Sequence, residues 1–203
     1  SGIRVPEDYT TLKEATEWLK QFGGKYISLF KDADNGHLLG NEKVKIPNKI
    51  VLGAGEHQID GDFLEIVSAM SIVGDPEVER SEIVVVGGIE FEEGIQGNCH
   101  LQHLTLRQAK HCGVYAFSSF TMKDVLVEQC GYHGVWASGT GVVGRCTNME
   151  VRECGWSGVV ASNGGSITLI GAKTTVHHNC TKGDSDFMGL KVFGLKVFGA
   201  SST

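Results

Sequence analysis

The sequence predicts an all-β chain wound as a right-handed parallel β-helix, with a short amphipathic helix capping its N-terminus. Three observations predict it: a glycine-rich and proline-poor composition, a succession of short β-branched runs, and one motif repeated at nearly constant spacing. Glycine accounts for 28 of the 203 residues and proline for only 3, against usual shares of about 7% and about 5%. With 41% hydrophobic residues, this balance describes tight turns between short apolar segments rather than disorder. The length fits a single domain, 1–203, able to bury about 70% of the surface its unfolded chain exposes.

The elements follow in order. Thr11 stands three residues before Glu14, the pattern of a capping box, and Gly23–Gly24 supply a stop. Between them Leu12, Ala15, Leu19 and Phe22 recur at helical spacing, with Lys13, Glu14, Glu17 and Lys20 on the other side. Residues 1–25 therefore form the cap, and its apolar stripe must lie on something. From Tyr26 the period changes. YISLF, KVKI, KIVLG, FLEIV, MSIVG and EIVVVGGIEF read as strands divided by Gly, Asp, Asn and Pro. Coils are expected over 44–203. In the intervening KDADNGHLLGNE, Gly36 and Glu42 have the separation of a calcium-binding EF-hand loop, but Lys31 and Ala33 occupy its first ligand positions. A turn at Asp34–Asn35–Gly36 is expected instead.

The repeat is clearest from Leu106 onward. Taking Leu106, Val127, Val151 and Val176 as anchors, an apolar residue or threonine lies two positions earlier (Leu104, Val125, Met149, Thr174) and a glycine seven positions later (Gly113, Gly134, Gly158, Gly183). In the first three copies Val114, Val135 or Val159 follows the glycine, and Ala116, Ala137 or Ala161 comes two residues further. The anchors are 21, 24 and 25 residues apart. Each unit reads as two short strands joined by a corner at Gly. Same-direction units of this kind stack as coils, with equivalent side chains in ladders about 4.8 Å apart. Roughly six to seven coils are expected at this period. Cys130 and Cys154 share an offset with Ala109, which makes them small inward stackers. The 6 cysteines include no CxxC pair, and buried free thiols are favoured over disulfides. Asn179, in the sequon Asn179–Cys180–Thr181, falls at the same offset, so an inward asparagine is favoured over a glycosylated one.

Three passages carry a family resemblance. VPEDYTTLKEA is similar to the start of pectinesterase-type β-helices, KIVLGAGEHQI with AMSIVGD to their first coils, and the GV-x-A units to later coils. The chain thus resembles the right-handed parallel β-helices of the pectin-lyase-like superfamily, nearest to β-helix repeat proteins of microalgae and other protists. The resemblance implies the scaffold and an extracellular or cell-surface setting. It does not extend to the chemistry. The paired aspartates and GRPW segment of pectinesterases, the NTD, DD and GHG motifs of polygalacturonases and the DPHD stretch of mannuronan epimerases have no counterpart. Of the acids that pectate lyases cluster for calcium, the central coils offer only Asp124 with Glu128, Glu150 and Glu153.

The variable positions remain as candidates. A formal charge of −6 argues against a nucleic-acid partner, whose recognition rests on cationic contacts to phosphate. No apolar run approaches the roughly 20 residues of a membrane span. One residue past the anchors stand Arg107, Glu128, Arg152 and His177, and one further Gln108, Gln129, Glu153 and His178, all expected to face solvent. The first row is either a self-compensated charged face or an acid–base site for a lyase. Tyr132 and Trp156, with His111, recur five past the anchors, and Tyr115 and Trp136 follow the corner valines. These rings are expected to project outward, as a sugar-stacking platform or as cover for the corners. His177 and His178 are adjacent in a strand and so point to opposite faces, which disfavours a metal site with His133 or His111. No cofactor is expected. GLKVFG at 189–194 runs directly into a second LKVFG at an odd offset, so a corner must separate the copies or one must leave the coil. No C-terminal cap follows it, which raises the prospect of a segment of a longer solenoid. The expected function is a non-catalytic module that binds polysaccharide or another surface ligand, or a scaffold for a protein partner. The alternative is a lyase or epimerase with its site on the Arg107–Glu128–Arg152–His177 face.

Overall fold

The computed structural model describes residues 2–31, 39–183, 190–192, 195–198 and 201–202. The chain forms a parallel β-solenoid of about five turns, with 49% of residues in strands and 8% in helix. Each coil contributes to three faces. The first face stacks Ile3–Val5, Lys49–Leu52, Ser71–Gly74, the first halves of Cys99–Arg107 and Phe120–Glu128, then Val143–Thr147, Ser166–Ile170 and Leu195–Phe198. The second stacks the start of Gly55–Ile66 and of Ile83–Phe91, the second halves of Cys99–Arg107 and Phe120–Glu128, then Glu150–Arg152, Thr175–His177 and Ser201–Ser202. The third takes the ends of Gly55–Ile66 and Ile83–Phe91, then Val114–Ala116, Val135–Ser138, Val159–Ser162 and Leu190–Val192. All of these pairings are parallel.

The ladders set the register. Leu106, Val127, Val151 and Val176 lie in one column, and so do Val114, Val135 and Val159, and Ala116, Ala137 and Ala161. All are buried. A slip of one residue would turn every column outward, so burial of one face fixes the pairing. The chain bends at the corner glycines Gly113, Gly134 and Gly158. A further turn falls five residues earlier, where Gln108, Gln129 and Glu153 take left-handed φ values of 55°, 57° and 57°. Gly113 and Gly134 are glycines for space: a Cβ would lie 2.5 Å from Val127 Cγ1 in the first and 2.3 Å from Val151 Cγ1 in the second.

The helix Leu12–Phe22 carries the full capping box, with Glu14 N–H donating to Thr11 Oγ1 at 3.2 Å and Thr11 N–H donating to Glu14 Oε2 at 3.1 Å. Leu12, Ala15 and Leu19 join the same hydrophobic core as the coils, and Phe22 packs at its edge. No helix among the described residues is long and apolar enough to cross a membrane.

One expectation needs correction. Coils were expected from residue 44, but Leu39–Lys45 pairs antiparallel with Tyr26–Lys31 in a separate hairpin. Lys43, Val44 and Lys45, at its end, are all exposed. The Asp34–Asn35–Gly36 turn lies outside the described residues. The two copies of the duplicated segment lie on different faces: Leu190–Val192 pairs with Val159–Ala161 on the third face, whereas Leu195–Phe198 pairs with Ile167–Ile170 on the first.

All 6 cysteines are free, and Cys180 alone among them is not fully buried. Burial pushes the Cys99 and Cys112 thiols up to about 11 and Cys146 to about 12. Asn179 continues the Ala109–Cys130–Cys154 column. Its Nδ2 donates to Val151 O at 3.1 Å and its Oδ1 accepts from Cys154 N–H at 3.0 Å.

Candidate functional site

The aromatic residues converge on one cleft of about 720 Å³, lined by Tyr115, Tyr132, Trp136 and Trp156 together with Phe63, His111, His133, Cys112 and the acidic segment Asp60, Gly61, Asp62 and Glu65. Two ladders of rings form its walls. Along the corner, His111 lies 5.0 Å from Tyr132 and Tyr132 4.3 Å from Trp156 between ring centroids. On the third face, Tyr115 and Trp136 stack at 4.5 Å with 19° between their planes. His133, buried, meets Trp136 and Trp156 edge-on at 5.2 and 5.4 Å, and so ties the two walls together. The Trp136 indole N–H donates to Ser162 Oγ at 2.8 Å, which fixes its ring.

The spacings match the coil rise, as the outward repeat requires. The shape differs from a flat platform. Tyr115 and Trp136 cover each other's facing surfaces, so a ligand meets ring edges and outer faces from both walls of a trough. Tyr115, Tyr132, Trp136 and Trp156 are each half-buried, and clefts of this size with aromatic linings suit ligands of several rings.

A shortened coil makes room for the trough. In the strand Ile83–Phe91 the chain passes from the second to the third face through Gly87, whereas the later coils carry corner segments there. Val85 is the anchor of this coil, in register with Leu106, but its glycine, Gly88, follows three residues later instead of seven. Phe63 occupies the gap, 5.9 Å from His111 and 6.3 Å from Tyr115. Gly88 must lack a side chain there, since a Cβ would lie 2.4 Å from Cys112 O and 2.9 Å from Phe63 Cδ1.

Sequence reasoning missed the acids at this end. Glu65, Glu90, Tyr115 and Trp136 form one outward row on successive strands of the third face. The Glu90 carboxyl is pushed up to about 7, first by burial and then by its hydrogen bond and repulsion with Glu92 and by the charge of Glu65. The missed signal was the GIEF segment, Gly88 to Phe91, which is the GV-x-A unit with its corner deleted. At the other end the Lys182 ammonium lies 5.1 Å from the Tyr132 ring centroid.

The Arg107–Glu128–Arg152–His177 row is in register as expected, but Glu128 does not face solvent. It is 3% exposed, because the guanidinium groups on both neighbouring strands close over it. Arg107 Nε donates to Oε1 at 2.6 Å, and Arg152 donates to Oε2 from Nε at 3.0 Å and Nη2 at 2.7 Å. Burial alone would raise the Glu128 carboxyl; the hydrogen bonds from Arg152 and Arg107 outweigh it and hold it below the usual carboxylate range. Both oxygens are engaged by guanidinium groups and the side chain is buried, so this group is not presented to a substrate in solution. His177 Nε2 lies 3.2 Å from Glu150 Oε1 and extends the network. None of these four residues lines the trough. Among the described residues no group of three or more His, Cys, Asp or Glu side chains is placed to hold a metal ion.

Fold and site together define a class: a parallel β-solenoid with an aromatic trough along one edge and carboxylates at one end of it. Comparison with protein-family models, with curated proteins and with solved structures gave no match.

Proposed function

We propose that the trough binds a glycan and that the protein is a non-catalytic, polysaccharide-binding β-helix, a divergent relative of the pectin-lyase-like superfamily. The observation that carries this reading is the set of half-buried rings repeated at 4.3 to 5.0 Å along the coil axis inside a single cleft. Pyranose rings present apolar C–H faces to aromatic faces and edges, and each such contact adds weak affinity. An extended chain laid along the axis meets several rings at once, and the repeat makes those contacts equivalent.

Titration with neutral β-linked oligosaccharides, followed by tryptophan emission, tests the proposal. Trp136 and Trp156 line the trough, so saturable quenching or a spectral shift is expected with at least one chain of four or more sugars. No saturable change across gluco-, xylo-, manno- and N-acetylglucosamine oligosaccharides would overturn it.

One observation favours a second reading, a carbohydrate-active lyase or epimerase. Glu90, raised to about 7 beside Glu65 and Tyr115, has the affinity expected of a general acid or base near neutral pH. That reading moves the catalytic candidate from the Glu128 face to the end of the trough. It requires turnover of a polysaccharide that Glu90→Gln abolishes while binding persists.

A further inference from the structure

Resting on the glycan-binding reading, we infer that the trough selects oligosaccharides bearing free ammonium groups, that is, amino sugars that are not N-acylated. The trough is not electrically symmetric. Asp60, Asp62 and Glu65 line one end, and among the described residues no lysine or arginine lines it. A polyuronate entering there would bring carboxylates against carboxylates. A neutral sugar would leave Asp62 with only His111, 3.8 Å away, as a cationic neighbour inside the trough.

The walls favour the same charge. Aromatic faces carry a negative quadrupole and attract ammonium groups within about 6 Å of the ring centre. The protein itself supplies an example, because the exposed Lys182 places its ammonium over Tyr132 at 5.1 Å. Rings on two sides and carboxylates at the end are the arrangement that recognises an organic cation with an apolar body. A 2-amino-2-deoxy sugar supplies both: C–H faces for the rings and an equatorial ammonium for Asp62 or Glu65. Glu90, on the strand next to Glu65, resists ionisation first because it is partly buried and then because Glu92 and Glu65 add negative charge beside it. A ligand cation would relieve it.

The test compares fully deacetylated glucosamine tetramers with the N-acetylated tetramers of identical backbone, by calorimetry at mildly acidic pH. The deacetylated chain is expected to bind at least about tenfold tighter in low salt, with the gap narrowing near 0.3 M salt, where the Debye length falls to about 5 Å. The double variant Asp62→Asn with Glu65→Gln should abolish the preference by weakening binding of the deacetylated chain at least about tenfold. Because the chain carries a net charge of −6, a control with the same change in charge is needed. Glu56→Gln with Glu77→Gln, both exposed and outside the trough, should keep the preference. Equal or tighter binding of the acetylated chain, or equal losses in the two double variants, overturns the selectivity and leaves the glycan site standing. Binding of neither chain overturns both.

Discussion

Replacement of Glu128 by glutamine separates a buried ionic ladder from a solvated face. The Glu128 side chain is 4% exposed, whereas Arg107 and Arg152 are 31% and 36% exposed. Glutamine keeps the shape and one acceptor, but turns an NH₂ toward one of the two guanidinium groups. Hydrogen bonds to charged groups contribute about 1.5–3 kcal/mol each, and removing one partner of a fully buried pair costs about 3–5 kcal/mol. Both arginines reach water and recover part of that loss, so about 2–3 kcal/mol is expected for Glu128→Gln. At this chain size that corresponds to a fall in Tm of about 4–10 °C. Urea unfolding at neutral pH gives the free energy directly, and Arg152→Met in a double-mutant cycle should show non-additivity. The folded carboxyl titrates below its unfolded value, so its contribution is complete above about pH 4.3 and is lost as pH falls through the folded value. Wild type and variant should therefore converge in acid. A cost under about 0.5 kcal/mol, the range of ordinary surface substitutions, with no pH dependence, would refute the buried-ladder account.

Three further outcomes are expected. Val135→Asp places a carboxylate in a column that is fully buried; it should cost more than about 4 kcal/mol or prevent folding, and a mild effect by urea titration would contradict the inward assignment. Thiol titration of unfolded, unreduced protein should find all 6 cysteines reactive, while Cys99, Cys112 and Cys146, held up to about 11, 11 and 12, react slowly in the folded state; disulfides detected by mass would contradict the stacking account. Glu90 titrates near 7 in the fold and near 4.5 unfolded, so the fold binds an extra proton between those values and stability falls as pH rises through that window. Solvent screening limits the change to about 1 kcal/mol, and Glu90→Gln should flatten the slope. An unchanged slope would assign the pH dependence elsewhere.

The inward columns were legible in the sequence because a coil imposes a strict local demand. Val127 and Val151 must be apolar where they stand, and Gly113 and Gly134 of the preceding coils must leave room for them. The outward rows follow no such rule. Glu128 is buried by the stems of residues one coil before and one coil after it, and its own neighbours in sequence carry no trace of that. The Leu39–Lys45 strand shows the same limit: alternation announces a strand but does not name its partner. The aromatic trough was half legible. Tyr132, Trp156, Tyr115 and Trp136 declared themselves by repeat position. The acidic end stayed hidden because the coil at Val85 lacks four corner residues and breaks the seven-residue count. Phe63 and Asp62 belong to a different coil again, brought alongside by the register of Phe63 with Gly88.

The most direct test of the glycan trough uses the 3 tryptophans of the chain as separate reporters. Trp136 and Trp156 line the trough, whereas Trp18 lies on the capping helix between Tyr9 and Phe22. In a ¹⁵N-labelled sample each indole N–H gives its own cross-peak, and these can be followed as oligosaccharide is added to saturation. The account predicts that the Trp136 and Trp156 signals shift along one binding curve while Trp18 stays in place. Movement of Trp18 alone, or stationary indole signals with a glycan that demonstrably binds, would contradict it.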